Sequence, residues 1–263
     1  MLKAAVNGAA GRMGQRIIGL LAQNPDCRLV CALERADHPR IGTDAGEVAG
    51  AGELGVELAD QISGSPDVLI DFSSPEACLS RARECAQAGI GLVIGTTGLS
   101  AEQDREIESK LAREVPVLKA PNMGLGVNLL FRLVQEVAAA LGTDYDVEIV
   151  ESHHRRKKDA PSGTAQKLAE NICEALDLGA EDTIIYGREG LTGERPAEQV
   201  GVHAVRGGDI VGEHTVMFAG EGERIELTHR AGSRDLFALG AIRAARFIAQ
   251  QQPGLYDMQD VLF

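Results

Sequence analysis

Between positions 151 and 164 the chain reads Glu151-Ser-His153-His154-Arg155-Arg156-Lys157-Lys158-Asp159-Ala-Pro-Ser162-Gly163-Thr164. Four consecutive cations repel one another, and charge runs are usually solvated loops or tails. This run lies mid-chain instead, between a strand pattern and a helix pattern that opens on Ser162-Gly163-Thr164. A helix start presents backbone N–H groups and the positive end of the helix dipole. Cations, hydroxyls and a helix N-terminus together form a receptor for carboxylates or phosphate. A histidine can act as acid or base near neutral pH, and a lysine in such a field can transfer a proton. The segment points to an anionic substrate with proton-transfer groups beside it.

A second chemistry-bearing stretch is Gly8-Ala9-Ala10-Gly11-Arg12-Met13-Gly14, directly after a first strand pattern and opening a first helix pattern. Glycines there let the chain turn tightly and let backbone N–H groups approach a pyrophosphate, which the helix start then stabilises. The spacing is G-x-x-G-x-x-G, so Ala10 replaces the middle glycine of the usual dinucleotide fingerprint. Glu34 follows Gly14 at the distance where a carboxylate accepts from an adenosine ribose, and Arg35 and Arg12 could hold a 2′-phosphate. Gly95-Thr96-Thr97-Gly98 and Ala120-Pro121-Asn122-Met123 follow further apolar runs, and the Asn122 amide suits a nicotinamide carboxamide. Each of these, taken alone, is also compatible with a structural turn or a polar strand end.

The elements that must position these residues are legible as periodicity. Lys3 to Asn7, Cys27 to Leu33, Asp67 to Phe72, Gly91 to Gly95 and Val115 to Leu118 are short apolar runs of strand type. Between them, Ile17, Ile18, Leu20 and Leu21 mark a helix face, and Pro75 to Ala88 and Ala101 to Arg113 carry helical spacing. Ser74 and Pro75 open the second helix and Gly89 closes it. Strands alternating with helices imply a parallel sheet covered on both sides. After Asn122 the texture changes to a helix from Gly126 to Leu141, a strand from Asp146 to Glu151, the basic loop and a helix from Gly163 to Leu176. Three stretches without helices between them, Gly201 to Arg206, Asp209 to Phe218 and Arg224 to Arg230, read as antiparallel sheet. A last helix runs from Ser233 to about Gln250. The plan is an α/β domain with an α+β domain inserted before the last helix.

Composition bounds the partners. The 263 residues carry 26 Lys and Arg against 39 Asp and Glu, a formal charge of −13, with 3% aromatics and no Trp. Such a chain repels polyphosphate and offers bases little to stack on, which argues against nucleic acid. An apolar fraction of 44% with 25% charged residues is that of an ordered globular protein. The first eight residues read as a strand entering a turn rather than a leader, and apolar stretches such as Leu92 to Ile94 fall far short of the roughly 20 residues of a membrane span. A soluble, cytoplasmic protein is expected. Five cysteines without a C-x-x-C pair suggest reduced, buried thiols, with neither a disulfide framework nor a metal site.

These motifs, taken in order, resemble the dihydrodipicolinate reductase family. The resemblance rests on Gly8 to Gly14, Asp71-Phe72-Ser73 with Pro75-Glu76, Gly95 to Gly98, Ala120 to Asn122, and Gly126-Val-Asn128. It continues through His153-His154 with Lys157, Asp159 to Thr164, Arg206 to His214, and Thr228-His229. It covers essentially the whole chain, and the segment from His153 to Thr164 is highly specific. Ala10 and Gly124, where the family often has Ser, depart from the pattern.

The resemblance implies a Rossmann-type parallel-sheet domain for dinucleotide binding, residues 1–123 with 234–263. It also implies an inserted α+β domain with a mostly antiparallel or mixed sheet, residues 124–233, for substrate and oligomerisation. The implied activity is NADH- or NADPH-dependent reduction of 4-hydroxy-tetrahydrodipicolinate in the diaminopimelate route to lysine. Gly8, Ala9, Ala10, Gly11, Arg12 and Met13 would hold the pyrophosphate, and Glu34 and Arg35 the adenosine ribose. Gly95, Thr96 and Thr97 with Ala120, Pro121, Asn122 and Met123 would hold the nicotinamide half. His153 would be the acid/base and Lys157 the proton donor, while His154, Ser162, Gly163 and Thr164 would bind the substrate carboxylates. A homotetramer is implied, joined through Asp209 to Phe218. Two other readings compete: a sugar or amino-acid dehydrogenase, which would not require His153, Lys157 and Ser-Gly-Thr in one loop, and a non-catalytic NAD(P) sensor, which should have lost His153 or Lys157.

Overall fold

The computed structural model describes residues 1–263. They divide into two compact units, residues 1–125 with 235–263, and residues 126–234. The first unit opens with β1 (Leu2–Asn7), α1 (Arg12–Ala22), β2 (Cys27–Leu33), α2 (Ala45–Ala49) and β3 (Leu58–Ala59). It continues with β4 (Val68–Asp71), α3 (Pro75–Ala88), β5 (Gly91–Ile94), α4 (Ala101–Ser109) and β6 (Pro116–Lys119). The second unit carries α5 (Leu125–Leu141), β7 (Asp146–His153), α6 (Gly163–Ala175), α7 (Ala180–Thr183) and β8 (Ile184–Tyr186). It ends with β9 (Val200–Arg206), β10 (Gly212–Ala219) and β11 (Arg224–Ala231). The chain then returns to the first unit with α8 (Asp235–Ile248), β12 (Gly254–Tyr256) and α9 (Met258–Leu262).

The first unit is a seven-stranded, all-parallel sheet in the order β3-β2-β1-β4-β5-β6-β12. Successive strand residues point to opposite faces, so a strand buried on both sides must be apolar throughout. Ala4, Val6, Ile70 and Val93 pack with Ile17 and Ile18 of α1 and with Ala241, Ala245 and Ile248 of α8. The intervening Ala5, Leu69, Leu92 and Val117 pack with Cys78, Ala82 and Cys85 of α3 and Ile107 of α4. Ser74 caps α3 by accepting from Ala77 N–H at 3.3 Å, with Pro75 in the first turn. All five cysteines are buried and free. The strand order reverses between β1 and β4, and ligands of open α/β sheets bind beyond the carboxyl ends of strands at such a switch point.

The second unit is a five-stranded mixed sheet in the order β11-β10-β7-β9-β8. One face is covered by Val127, Leu130, Phe131 and Val134 of α5 and by Leu168, Ala169 and Ile172 of α6. These meet Val147, Ile149, Val202, Val216 and Phe218 of the strands.

The expectation that the three last strand stretches form an antiparallel sheet needs correction. β10 and β11 do pair antiparallel, but β9 does not pair with β10: β7 lies between them, antiparallel to β10 and parallel to β9. The link from β9 to β10 crosses the end of β7, where Gly207 N–H donates to the His153 carbonyl at 2.9 Å. Helical spacing from Ala101 to Arg113 also divides, into α4 and a separate 3₁₀ turn over Leu111–Arg113. Residues 125–144 are long and apolar enough, by length and composition alone, to cross a membrane, contrary to the expectation that no stretch approaches that length. Here the helix lays Val127, Leu130, Phe131, Val134 and Ala138 into the core of the second unit.

Candidate active site

The glycine turn after β1 is held by Gly8 and Ala9 N–H groups, both donating to the Leu33 carbonyl at 3.0 Å. Gly8 has φ +74°, and a Cβ there would lie 2.4 Å from the Phe72 carbonyl oxygen, so only glycine is accommodated. A Cβ on Gly14 would fall 2.2 Å from the Gly8 carbonyl oxygen, which shows how flush α1 sits on the turn. Gly11 caps α1 without a side-chain bond, and the turn opens on a cleft of about 480 Å³ lined by Asn7, Gly8, Gly11, Glu34, Arg35 and Phe72, among others. Glu34 accepts from Ala10 N–H at 3.2 Å, and Arg35 reaches Asp37 at 3.3 Å. Arg12 is exposed and Met13 half-buried. A backbone cradle at a helix start, with a carboxylate and an arginine at its rim, fits a dinucleotide.

Beneath the next loop lies a buried carboxylate that sequence reasoning noted only as part of a motif. Asp71, 1% exposed at the end of β4, accepts from Asn7 Nδ2 at 2.5 Å, Ser73 Oγ at 2.9 Å and Thr96 Oγ1 at 2.5 Å. Thr96 Oγ1 in turn accepts from Ser73 N–H at 2.8 Å. The ends of β1, β4 and β5 are thus tied together, which fixes Gly95 and Thr96, while Thr97 is exposed. After β6, Ala120 N–H donates to the Ile94 carbonyl at 3.2 Å, and Asn122 Oδ1 accepts from Gly124 N–H at 2.9 Å. Ala120 and Met123 are buried, Asn122 half-buried and Pro121 exposed.

The basic loop belongs to the second unit and is built over the inner face of its sheet. Along β7 the inward positions are Val147, Ile149, Glu151 and His153, apolar in the first half and ionisable in the second. Glu151 is fully buried. It lies 2.6 Å from His153 Nδ1, and it accepts from Ser162 N–H at 2.9 Å and from both terminal nitrogens of Arg206 at 2.7 and 2.8 Å. Burial alone would raise the Glu151 carboxyl, but the bonds from Arg206, His153 and Ser162 outweigh it and hold the pKa below the usual range. Burial dominates at His153 and lowers its pKa, although Glu151 pulls the other way. His214, directly across from Glu151 on β10, stacks edge-on against His153 with ring centroids 5.2 Å apart. Its pKa is pushed down to about 4, chiefly by burial and next by His153.

Lys157 donates to Asp159 at 2.7 Å, and its N–H closes a turn onto the His154 carbonyl. His154 is half-buried, with Nδ1 enclosed and lacking a partner. Ser162 caps α6, its Oγ accepting from Ala165 N–H at 3.2 Å and meeting His214 Nε2 at 3.1 Å. Gly163 is exposed and Thr164 half-buried at the helix start. The structure therefore gathers Gly8 to Met13, Glu34 and Arg35 in the first unit, with Gly95 to Thr97 and Ala120 to Met123 at further strand ends. His153 at the end of β7, His154, Lys157 and Ser162 in the loop that follows, and Gly163 and Thr164 at the start of α6 succeed one another in the second unit. Sequence reasoning missed the parts played by Glu151, Arg206 and His214. Glu151 and His153 fall two apart in a strand, on one face, where the preceding positions of that face are apolar; that break in pattern was the available signal.

A doubly wound parallel sheet with a glycine cradle, joined to a mixed-sheet unit carrying histidines and cations at a helix start, defines the class of two-unit pyridine-nucleotide oxidoreductases. Family profiles described as dihydrodipicolinate reductase, N-terminus and C-terminus, match residues 2–123 and 126–262. The chain belongs to the dihydrodipicolinate reductase family. It is 52% identical, over all of its length and 99% of the relative's, to a 4-hydroxy-tetrahydrodipicolinate reductase of Trichlorobacter lovleyi. Among solved structures it is similar to dipicolinate-bound dihydrodipicolinate reductase from Paenisporosarcina sp. TG-14, with TM-score 0.75, 25% identity and full coverage of both chains. An amine dehydrogenase from Mycobacterium smegmatis shares the fold alone, with TM-score 0.59, 16% identity and coverage of 98% and 95%.

Proposed function

We infer that the chain reduces 4-hydroxy-tetrahydrodipicolinate to tetrahydrodipicolinate with NADH or NADPH, in the diaminopimelate route to lysine. The observation that carries this reading is the single segment holding His153, Lys157 and the start of α6 over a buried carboxylate, in a member of this family. The name of the Paenisporosarcina relative, dipicolinate bound, supports the reading of the loop as a receptor for two carboxylates on a six-membered ring.

The substrate is a cyclic imine with two carboxylates and a ring hydroxyl. Loss of a proton from the carbon beside the imine, and of the hydroxyl as water, leaves a C=C bond conjugated to C=N. The bound cofactor supplies hydride to the carbon that carried the hydroxyl. Negative charge spreads onto the neighbouring carbon and the imine nitrogen, and one added proton completes the product. Lys157 is the proton donor and His153 the acid/base, while the cations around the ring stabilise the developing charge. His154, Ser162, Gly163 and Thr164 hold the carboxylates. Gly8 to Met13 hold the pyrophosphate, Glu34 and Arg35 the adenosine ribose, and Gly95 to Thr97 with Ala120 to Met123 the nicotinamide half. The first unit is thus the dinucleotide domain, and the second serves substrate and oligomerisation as a homotetramer. Five buried, unpaired cysteines support a reducing, cytoplasmic setting.

The test is oxidation of NADH and NADPH coupled to freshly generated substrate. His153→Ala and Lys157→Ala should each lower kcat by about 10²- to 10⁴-fold, the usual cost of one positioned proton-transfer group. Cofactor affinity by calorimetry should stay within about twofold, because both residues lie outside the first unit. Wild-type turnover in both variants would remove the assigned roles.

A further inference from the structure

We propose that Glu151 is a positioning residue that fixes His153 in one tautomer, with the proton on Nδ1 and the lone pair on Nε2, so that the imidazole enters the reaction as a base and leaves it as an acid. This rests on the reading of His153 as the acid/base.

The argument is one of hydrogen-bond capacity. An ionised carboxylate only accepts, and it has about four acceptor sites. Oε1 of Glu151 takes Ser162 N–H and one Arg206 nitrogen, and Oε2 takes the other Arg206 nitrogen and His153 Nδ1. With no proton of its own to give, Glu151 requires Nδ1 to be the donor. A neutral ring then carries its lone pair at Nε2. That nitrogen lies beside Gly212 on β10, where an added Cβ would come within 3.0 Å of it, so the absence of a side chain there leaves Nε2 its room.

The charged and titratable groups packed around the ring pull in both directions. Glu151 comes from its own strand, Arg206 from β9, Lys157 from the loop and His214 from β10. His229 on β11 sits across from His214. Arg206 and Lys157 oppose a charged imidazole, while Glu151 favours it; burial decides for the neutral ring at rest. Once Nε2 has taken a proton, the imidazolium faces an ionised carboxylate at 2.6 Å, and the proton can later be returned. The same carboxylate grips Ser162 N–H, one residue ahead of α6, so the acid/base and the carboxylate receptor share one anchor.

The experiment combines ¹⁵N NMR of the histidine rings of the intact protein with kinetics of Glu151→Gln, Glu151→Asp and His153→Gln. The ring signals lost in His153→Gln assign that residue. Nδ1 should be protonated and Nε2 bare in the unaltered enzyme near neutral pH, a measurement that needs no Glu151 variant to fold. Glu151→Gln should lower kcat by about 10²-fold with the cofactor KM unchanged, because an amide can donate to Nδ1 and invert the tautomer. It should also move the His153 ionisation to lower pH, since the favourable carboxylate charge is gone. Glu151→Asp should recover part of kcat. A proton on Nε2 in the unaltered enzyme, or a Glu151→Gln enzyme within about threefold of the original while His153→Gln is slow, would overturn the proposal alone. Full activity in His153→Gln would instead overturn the acid/base reading on which it stands.

Discussion

Glu34 turns its carboxylate back onto the glycine turn, where Ala10 N–H meets one oxygen at 3.2 Å and Arg35 N–H the other at 3.1 Å. The Arg35 side chain is 68% exposed and loosely paired with Asp37 at 3.3 Å. A carboxylate so held favours a ribose hydroxyl and repels a 2′-phosphate, because like charges roughly 4 Å apart cost about 1 kcal/mol in bulk water and about 4 kcal/mol near a protein surface. A guanidinium next in sequence, free to exchange a weak surface partner for a phosphate, reverses that preference. Opposing contributions of similar size should leave the kcat/KM ratio for NADH and NADPH within about 30-fold, roughly 2 kcal/mol. Arg35→Ala should shift the ratio toward NADH and Glu34→Ala toward NADPH. Steady-state kinetics with both cofactors on the three proteins decides; exclusive use of one cofactor by the unaltered enzyme, or a shift of the wrong sign, would sink the idea.

At the scale of elements, the short α2 depends on a single side chain. Asp44 caps it by accepting from Gly46 and Glu47 N–H, and also receives Leu54, Gly55 and Val56 N–H from the returning loop. Burial works to raise the Asp44 carboxyl, but these backbone bonds, led by Leu54, pull it below its ordinary value. A depressed carboxyl contributes stability that is complete above the unfolded pKa, near 3.9, and is lost as pH falls through the lower folded value. Asp44→Ala should therefore cost about 2 kcal/mol, or roughly 4 to 8 °C in Tm. Asp44→Asn, which keeps a capping oxygen, should cost less at pH 7, and its deficit should shrink below about pH 4. Thermal unfolding of the three proteins from pH 3 to 7 checks both statements, and a pH-independent gap would refute the second. Such elements escape a sequence reading for a physical reason. Two residues of β3 or three of β12 are too few to show a period, so their place at the two sheet edges is set by pairing with β2 and β6. α1 and α3, in contrast, announce themselves through a glycine turn and a Ser-Pro start. The insertion of β7 between β9 and β10 was illegible because adjacency in sequence favours a hairpin, whereas β7, distant in sequence, pairs with both. Glu151 is the corresponding case in the site: its neighbours His153 and Lys157 have recognisable chemistry, but the donors that make it an anchor arrive from positions 162 and 206.

For the whole molecule, the sheet of the second unit has a helix-covered face and a face turned away from that core. Its helices cover only the face carrying Val147, Ile149, Val216 and Phe218. The opposite face presents His203, Val150, Thr215 and Thr228 as one row across the strands, with Met217 in the next row between Glu148 and Glu226, and Val150 and Val205 are 36% and 46% exposed. Antiparallel strands with one wet face usually alternate apolar with polar or charged residues; here the row through Val150 and Thr215 carries no carboxylate, lysine or arginine. Charged residues lie on either side of that row, Glu213 with Arg230 toward one end and Glu148, Glu226 and Arg224 toward the other. There Glu148, its pKa depressed to about 2 by bonds from Arg188, His203 and Arg195 that overcome burial, ties residues 188–199 to the sheet. Sheets from separate chains, laid face to face, would bury that row, which is the physical content of the proposed homotetramer. Light scattering of the purified protein should then give four times the 27.9 kDa chain mass. Val150→Arg places four buried cations near the symmetry axes, where charges without partners are costly. It should reduce the mass to that of a smaller species at micromolar concentration, while thermal unfolding of the first unit and binding of NADH, proposed to lie there, change little. A monomer in the unaltered protein, or an intact tetramer in Val150→Arg, would remove this face from the assembly.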